Sequence, residues 1–329
     1  MIIDCHGHYT TAPSQLGKYR EQLIYEFKNK IEHSVVDLNI SDDEIKQSIE
    51  SNQLRLQTER GTDLTVISPR ASWMGHHIGN STTSKLWTEQ CNNLIKRICD
   101  LYPNNFVGVC QLPQSKGTDL SNSIAELERC VDMGFIGCNI NPDPSGGHWS
   151  DAPPLTDEYW YPLYEKMIEL EVPGMIHTSA SCCDCLHTTT SYYLGADTTA
   201  FTQLVQSKLF DQFPKLKLIV PHGGGAVPYH WGRYKAICEQ MHSVTLEELI
   251  KDNIYFDTCV YDQNGMELLF KNIPHENILF ASEMLGAVKH TKNTFGDDTD
   301  DTKKYIDRIG IDFSIFEHNA KLVYKRLDI

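Results

Sequence analysis

Met1-Ile2-Ile3-Asp4-Cys5-His6-Gly7-His8 opens the chain, an apolar run that passes directly into two histidines one residue apart. Side chains of a strand alternate between faces, so His6 and His8 point the same way, with imidazoles close enough to share one divalent cation. Two neutral imidazoles on one face suit zinc. A pair of buried histidines hydrogen-bonded to backbone would show the same spacing, so the choice rests on what the other strand ends carry. Asp4 falls on the same face as His6, as a further candidate ligand or as a partner that orients an imidazole.

Working outward, short apolar runs recur with amphipathic segments between them, the pattern of parallel strands joined by helices. The runs are Met1 to His6, Leu64 to Ser68, Phe106 to Leu112, Phe135 to Ile140, Gly174 to His177, Lys217 to Val220, Ile254 to Val260 and Ile278 to Ser282. Helices are predicted over Asp42 to Arg60, Thr83 to Leu101, Asp119 to Met133, Asp157 to Leu170, Thr198 to Phe213, His230 to His242 and Gly265 to Lys271. This alternation predicts an α/β fold, a closed (β/α)8 TIM barrel. An open doubly wound sheet would carry a Gly-rich phosphate loop after its first strand, where Gly7 stands alone. The length of 329 residues, 40% of them hydrophobic, fits one barrel domain over 1–329. The charged stretch Lys18 to Ile40 reads as an insertion, and Ser314 to Tyr324 as a closing helix.

Barrel enzymes build their sites on the carboxyl ends of the strands, and those ends are rich in ligand types here. Strand one carries His6 and His8, strand five His177, strand six His222 and strand eight Glu283. A lone histidine after a strand is ordinarily a satisfied polar residue. Together, three histidines and a carboxylate match the ligand set of a mononuclear catalytic zinc with a position open for water or substrate. The pattern therefore predicts one divalent ion held by His6, His8, His177 and Glu283.

Composition narrows the partners. A formal net charge of -15 argues against nucleic acid and anionic membranes. Eleven cysteines spread through strands, helices and loops read as reduced thiols of a cytoplasmic protein. No targeting segment and no membrane-spanning run is expected. A symmetric homo-oligomer is expected on base rates alone.

The metal pattern, with His222-Gly223-Gly224-Gly225 after strand six, resembles the amidohydrolase superfamily, in the branch of aminocarboxymuconate-semialdehyde decarboxylase and related non-hydrolytic enzymes. That branch ordinarily has Asp after strand eight, where this chain has Ala281-Ser282-Glu283-Met284-Leu285-Gly286. This departure, with Ser68-Pro69-Arg70-Ala71-Ser72, Asn141-Pro142-Asp143-Pro144-Ser145-Gly146-Gly147-His148-Trp149 and the loop from Pro221 to Arg233, is similar to the oxalomesaconate hydratase family within it. The likeness covers nearly the whole chain and is weakest over Lys18 to Ile40 and Lys289 to Asp297.

The resemblance implies a metal-dependent hydro-lyase that adds water reversibly to the conjugated double bond of an oxalomesaconate-type tricarboxylate, in aromatic-acid breakdown. Such a reaction needs an oxygen nucleophile, a sink for developing negative charge and an acid for the adjacent carbon. Glu283 activating water, or water made acidic by the metal, supplies the nucleophile, and His222 is a second acid/base candidate. Cys185, in Cys182-Cys183-Asp184-Cys185-Leu186-His187, is the proton donor by its match to the resembled hydratases. The same cluster could hold a second metal, but no distant partner motif accompanies it. Three substrate carboxylates inside an acidic protein call for local donors, and guanidinium groups pair with carboxylates in two places at once. Arg70 and Arg233 are the expected clamps, with His77, Asn141 and Tyr193 as hydrogen-bonding candidates and His76 and Ser72 behind them. Two other readings stay open: a decarboxylase or hydrolase on the same metal site, and a non-catalytic metal-binding barrel.

Overall fold

Eight strands pair in the order in which they occur along the chain, every neighbour parallel, in the computed structural model, which describes residues 1–33, 37–311 and 313–328. They are β1 (Ile3–Tyr9), β2 (Leu64–Pro69), β3 (Phe106–Gln111), β4 (Gly137–Ile140), β5 (Gly174–Ile176), β6 (Leu218–Val220), β7 (Ile254–Asp257) and β8 (Ile278–Leu279). The Cys5 N–H donates to the Phe280 carbonyl at 2.9 Å and the Glu283 N–H to the His6 carbonyl at 2.9 Å, which ties the chain after β8 back to β1. The fold is the (β/α)8 barrel, and the sequential strand order excludes the doubly wound sheet.

The helices are α1 (Ser14–Lys28), α2 (Asp42–Ser51), α3 (Gln53–Arg60), α4 (Ser81–Leu101), α5 (Ser121–Asp132), α6 (Tyr161–Glu169), α7 (Tyr193–Val205), α8 (Leu209–Gln212), α9 (Trp231–Met241), α10 (Leu246–Ile250), α11 (Gln263–Asn272), α12 (Thr302–Ile309) and α13 (His318–Val323). Three expectations differ. The helix predicted over Asp42 to Arg60 breaks at Asn52, which leaves helical geometry at φ -129°, ψ -93°. The break turns the buried Gln53 inward, where its Nε2 donates to the His8 carbonyl and its Oε1 accepts from Thr11. The helix predicted over Thr198 to Phe213 begins five residues earlier, at Tyr193, and divides into α7 and α8 after Val205, while Thr198, Thr199 and Thr202 return their hydroxyls to carbonyls four residues back. Within Lys18 to Ile40, α1 supplies helix up to Lys28, and 34–36 lie outside the described residues.

Burial on both faces explains the apolar strands: one layer of side chains meets the helices, the other fills the barrel. The inner layer at the amino ends, including Ile3, Leu64, Met175 and Ile219, packs with Ala320, Val323 and Tyr324 from the closing segment. The C-terminal chain therefore plugs the amino mouth, and the carboxyl mouth is left for polar groups. Gly7 lets β1 approach β2, since a Cβ there would lie 2.6 Å from Thr65 Cγ2. Among the described residues no helix is long and apolar enough to cross a membrane.

Candidate active site

The carboxyl ends of β1, β5, β6 and β8 bring His6, His8, His177, His222 and Glu283 together, all buried. His6 Nε2 lies 3.0 Å from His8 Nε2, which lies 3.2 Å from His177 Nε2. Ligand atoms of His6, His177, His222 and Glu283 fall within 4.8 Å of one another.

The partners of the far ring nitrogens decide what those contacts mean. His6 Nδ1 is 2.7 Å from the Asp257 carboxylate, and His177 Nδ1 is 2.9 Å from the Thr178 carbonyl, so both donate from Nδ1. His8 Nδ1 is 2.8 Å from Ser68 Oγ, whose own proton goes to the Gly7 or Pro69 carbonyl, so His8 donates there too. Three Nε2 lone pairs then face one another at contact distance, an arrangement that repels unless a cation sits among them. Burial first, and then the neighbouring imidazoles, push His8 and His177 well below the usual histidine range, which keeps them neutral. The donor set fits a divalent metal on this ground alone.

Asp257, at the end of β7, is the acid that orients His6. Burial opposes its ionisation, but the His6 hydrogen bond, the charge of His222 and the Gly223 N–H hold its carboxyl below the usual range. Asp4 does something else. Its carboxylate accepts from the His6 N–H at 3.1 Å and from the Ser282 N–H and hydroxyl, fastening β1 to the loop after β8 without touching an imidazole.

His222 begins a left-handed run, with φ of +52° followed by +62°, +80° and +62° at Gly223, Gly224 and Gly225. Glycine is required there by contact as well as by φ: a Cβ on Gly225 would lie 2.4 Å from the Leu194 carbonyl oxygen. The turn aims the imidazole inward, where Nδ1 meets the Asp197 carboxylate of α7 at 2.8 Å and Nε2 stands 4.0 Å from Glu283 Oε2. Burial alone would lower its pKa, but Asp197, and behind it Glu283, raise it to about 9. Burial lifts Asp197 in turn to about 6. Glu283 itself has φ of +48°, and its Oε2 accepts a hydrogen bond from the Tyr261 hydroxyl at 2.5 Å.

A cavity of about 230 Å³ opens above this cluster, lined by His8, Thr10, Arg70, Tyr193, Glu283 and Lys289 among others. Arg70 is half-buried, its guanidinium over the Trp73 ring at 4.8 Å and its Nε donating to Ser72 Oγ at 2.9 Å. Tyr193 stacks on His222 and meets the His177 ring edge to face. Asn141 is buried, its Nδ2 donating to Ser179 Oγ at 3.3 Å. His77 has a buried Nδ1 with no hydrogen-bond partner. The structure does not bring Arg233, Cys185, His77 or Asn141 to the cavity lining: Arg233 is exposed on α9, Cys185 is exposed on the loop after β5, and Asn141 is buried. Cys185 Sγ lies 2.9 Å from Cys183 Sγ, and that hydrogen bond and the charge of Cys183 push its thiol up, keeping the proton on. All eleven cysteines are free.

Asp257, Asp197, Tyr261, Thr10 and Lys289 escaped the sequence reading. Asp257 closes an apolar run at a strand end and was open to the same rule that found His177. Asp197 lies four residues after Tyr193, one turn along the same helix face. Tyr261 and Lys289 carry no local signal.

The amidohydrolase family matches residues 3–326 of the chain. The chain is 54% identical to the 2-keto-4-carboxy-3-hexenedioate hydratase of Sphingobium sp. (strain SYK-6), over 100% of this chain and 97% of that protein. Its fold matches the crystal structure of 4-oxalomesaconate hydratase from Rhodopseudomonas palustris with a TM-score of 0.91 and 50% identity, covering 100% of this chain and 97% of the other. A dihydroxybenzoic acid decarboxylase from Polaromonas sp. JS666, crystallised with bound manganese and 2-nitroresorcinol, matches at TM-score 0.71 and 18% identity, covering 100% and 98%.

Proposed function

This chain belongs to the amidohydrolase family, and from that premise we propose that it is a hydratase, adding water reversibly to the conjugated double bond of an oxalomesaconate-type tricarboxylate in aromatic-acid catabolism. The observation that carries the reading is the full-length 54% identity to a keto-carboxy-hexenedioate hydratase. The site's chemistry supports it.

His6, His8 and His177, with Glu283, are the residues that would hold one divalent cation, for which zinc is the proposed ion. When bound, such an ion would polarise an oxygen and stabilise the negative charge that develops as water adds to the conjugated system. Arg70 and Lys289 receive substrate carboxylates at the cavity wall, with Tyr193 donating a hydrogen bond. Glu283 takes the proton of the attacking water. His222, charged through Asp197, holds a proton at Nε2 beside it. His222 is therefore the proposed donor to the carbon next to the site of addition, since Cys185 lies outside the cavity lining. Free thiols throughout support a cytoplasmic setting for such an enzyme.

The experiment follows the ultraviolet absorbance of the conjugated tricarboxylate together with carbon dioxide release and bound-metal content. Loss of absorbance without gas, in protein carrying one equivalent of zinc, is the expected result. Stoichiometric carbon dioxide would make it a decarboxylase, and full metal without turnover of any conjugated polycarboxylate a binding protein. Manganese as the retained ion would replace zinc and leave the reaction class standing.

A further inference from the structure

Tyr261 lies on the loop between β7 and α11 and has no part in the chemistry assigned above. Its hydroxyl is 2.5 Å from Glu283 Oε2, a phenol donating to a carboxylate, the strong charge-assisted kind of hydrogen bond. Its backbone has φ of +64°, in the left-handed region that residues with a Cβ enter at an energetic cost and that clusters at functional sites. A phenylalanine would fill the same space, so filling space does not account for a tyrosine held in that conformation.

The loop is pinned on every side so that this conformation persists. Asp257 Oδ1 accepts the Cys259 N–H at 3.1 Å, and the Val260 N–H turns back to the Thr258 carbonyl at 2.8 Å. Asp262 caps α11 by accepting the Gly265 N–H at 2.9 Å. The Tyr305 hydroxyl, from buried Tyr305 on α12, donates to the Tyr261 carbonyl at 3.2 Å. Glu283 is confined just as closely. Its N–H is bonded to the His6 carbonyl, and Gly286 packs so near that a Cβ there would lie 2.7 Å from Glu283 Cδ. Two left-handed residues on different loops are thus locked face to face across one hydrogen bond.

We propose that Tyr261 is the positioning residue of Glu283: its hydroxyl occupies one carboxylate oxygen and leaves the other to serve proton transfer. The catalytic consequence rests on the hydratase reading, and the hydrogen bond itself does not. A carboxylate with one oxygen occupied cannot swing to chelate with both, so the interaction keeps Glu283 available to the attacking water and away from a purely ligating pose.

Tyr261→Phe removes only the hydroxyl. In the metal-loaded protein it is expected to lower kcat about ten- to a hundredfold, with KM and bound-metal content unchanged. Infrared spectra of protein labelled with isotopic glutamate give a readout apart from turnover: the carboxylate band absent from Glu283→Gln is expected to shift in Tyr261→Phe. An unshifted band overturns the proposal, as does unchanged kcat, or a kcat loss matched by an equal loss of metal. A band that shifts in Tyr261→Phe while the wild-type protein hydrates nothing would sink the hydratase reading and keep the positioning assignment.

Discussion

At the scale of single residues, the side chains that orient the imidazoles are as specific as the imidazoles themselves. Asp257 holds His6 in the tautomer that leaves Nε2 free, while accepting the backbone N–H groups of Gly223 and Cys259. Asp257→Asn keeps an acceptor for those N–H groups but sets an amide N–H against His6 Nδ1, which favours the wrong tautomer. Metal affinity is expected to fall about ten- to a hundredfold, measured by competition with a chromophoric chelator, with the metal-free protein melting as before. His76, buried away from the cluster beside Ser84 and the Gln114 carbonyl, tests a different balance. Burial lowers its pKa to about 4 from 6.5. Between those values the unfolded chain takes up a proton that the folded chain refuses, so stability is full above the unfolded value, falls as pH drops and levels off below about 4. The drop attributable to this group is about 3 kcal/mol. Urea midpoints across that range should show it, and His76→Gln should flatten it. That His6, His8, His177 and Glu283 belong together was legible from strand ends, because the barrel gathers those ends. Their orienting partners were not, because a hydrogen bond between positions as far apart as 6 and 257 leaves no mark on local pattern.

Among the elements, the loop after β8 does most to shape the cavity. Glu283 and Leu285 both adopt positive φ, and Asp300 holds the Leu285 N–H at 3.0 Å while pairing with Arg60 of α3 at 2.7 Å. The loop thus carries Glu283 to the metal cluster and Lys289 to the cavity rim from one anchored base. Lys289 is exposed, so its attraction to a substrate carboxylate is screened. Lys289→Met is expected to raise KM about fivefold with kcat unchanged, and to have a smaller effect on a dicarboxylate analogue, by steady-state kinetics on both substrates. Strands were readable to within three residues at each end, because each is an apolar run sealed on both faces. Helix ends were less so: Asn52 breaks α2 from α3 without proline or glycine, next to a Gln53 that bonds the His8 carbonyl and Thr11.

For the whole molecule, the barrel separates stability from chemistry by its two ends. Tyr324, 2% exposed, fills the amino mouth with Ile3, Leu64 and Met175, at the opposite end of the strands from the histidines. Tyr324→Ala is expected to lose about 3–5 kcal/mol of stability in denaturant titrations while leaving KM and metal content as they were. The sequence by itself determined the fold class, the parallel strand order and the histidine and carboxylate set at the carboxyl ends, since periodicity and strand termini are local properties that a closed barrel converts into position. Only the tertiary structure decided which acid orients His6, that Asp4 fastens backbone instead, that Arg70 and Lys289 reach the cavity while Arg233 faces outward, and that Tyr261 meets Glu283. Those outcomes depend on left-handed turns and loop anchoring across distant segments, where a few degrees of backbone choose between two sides of one wall.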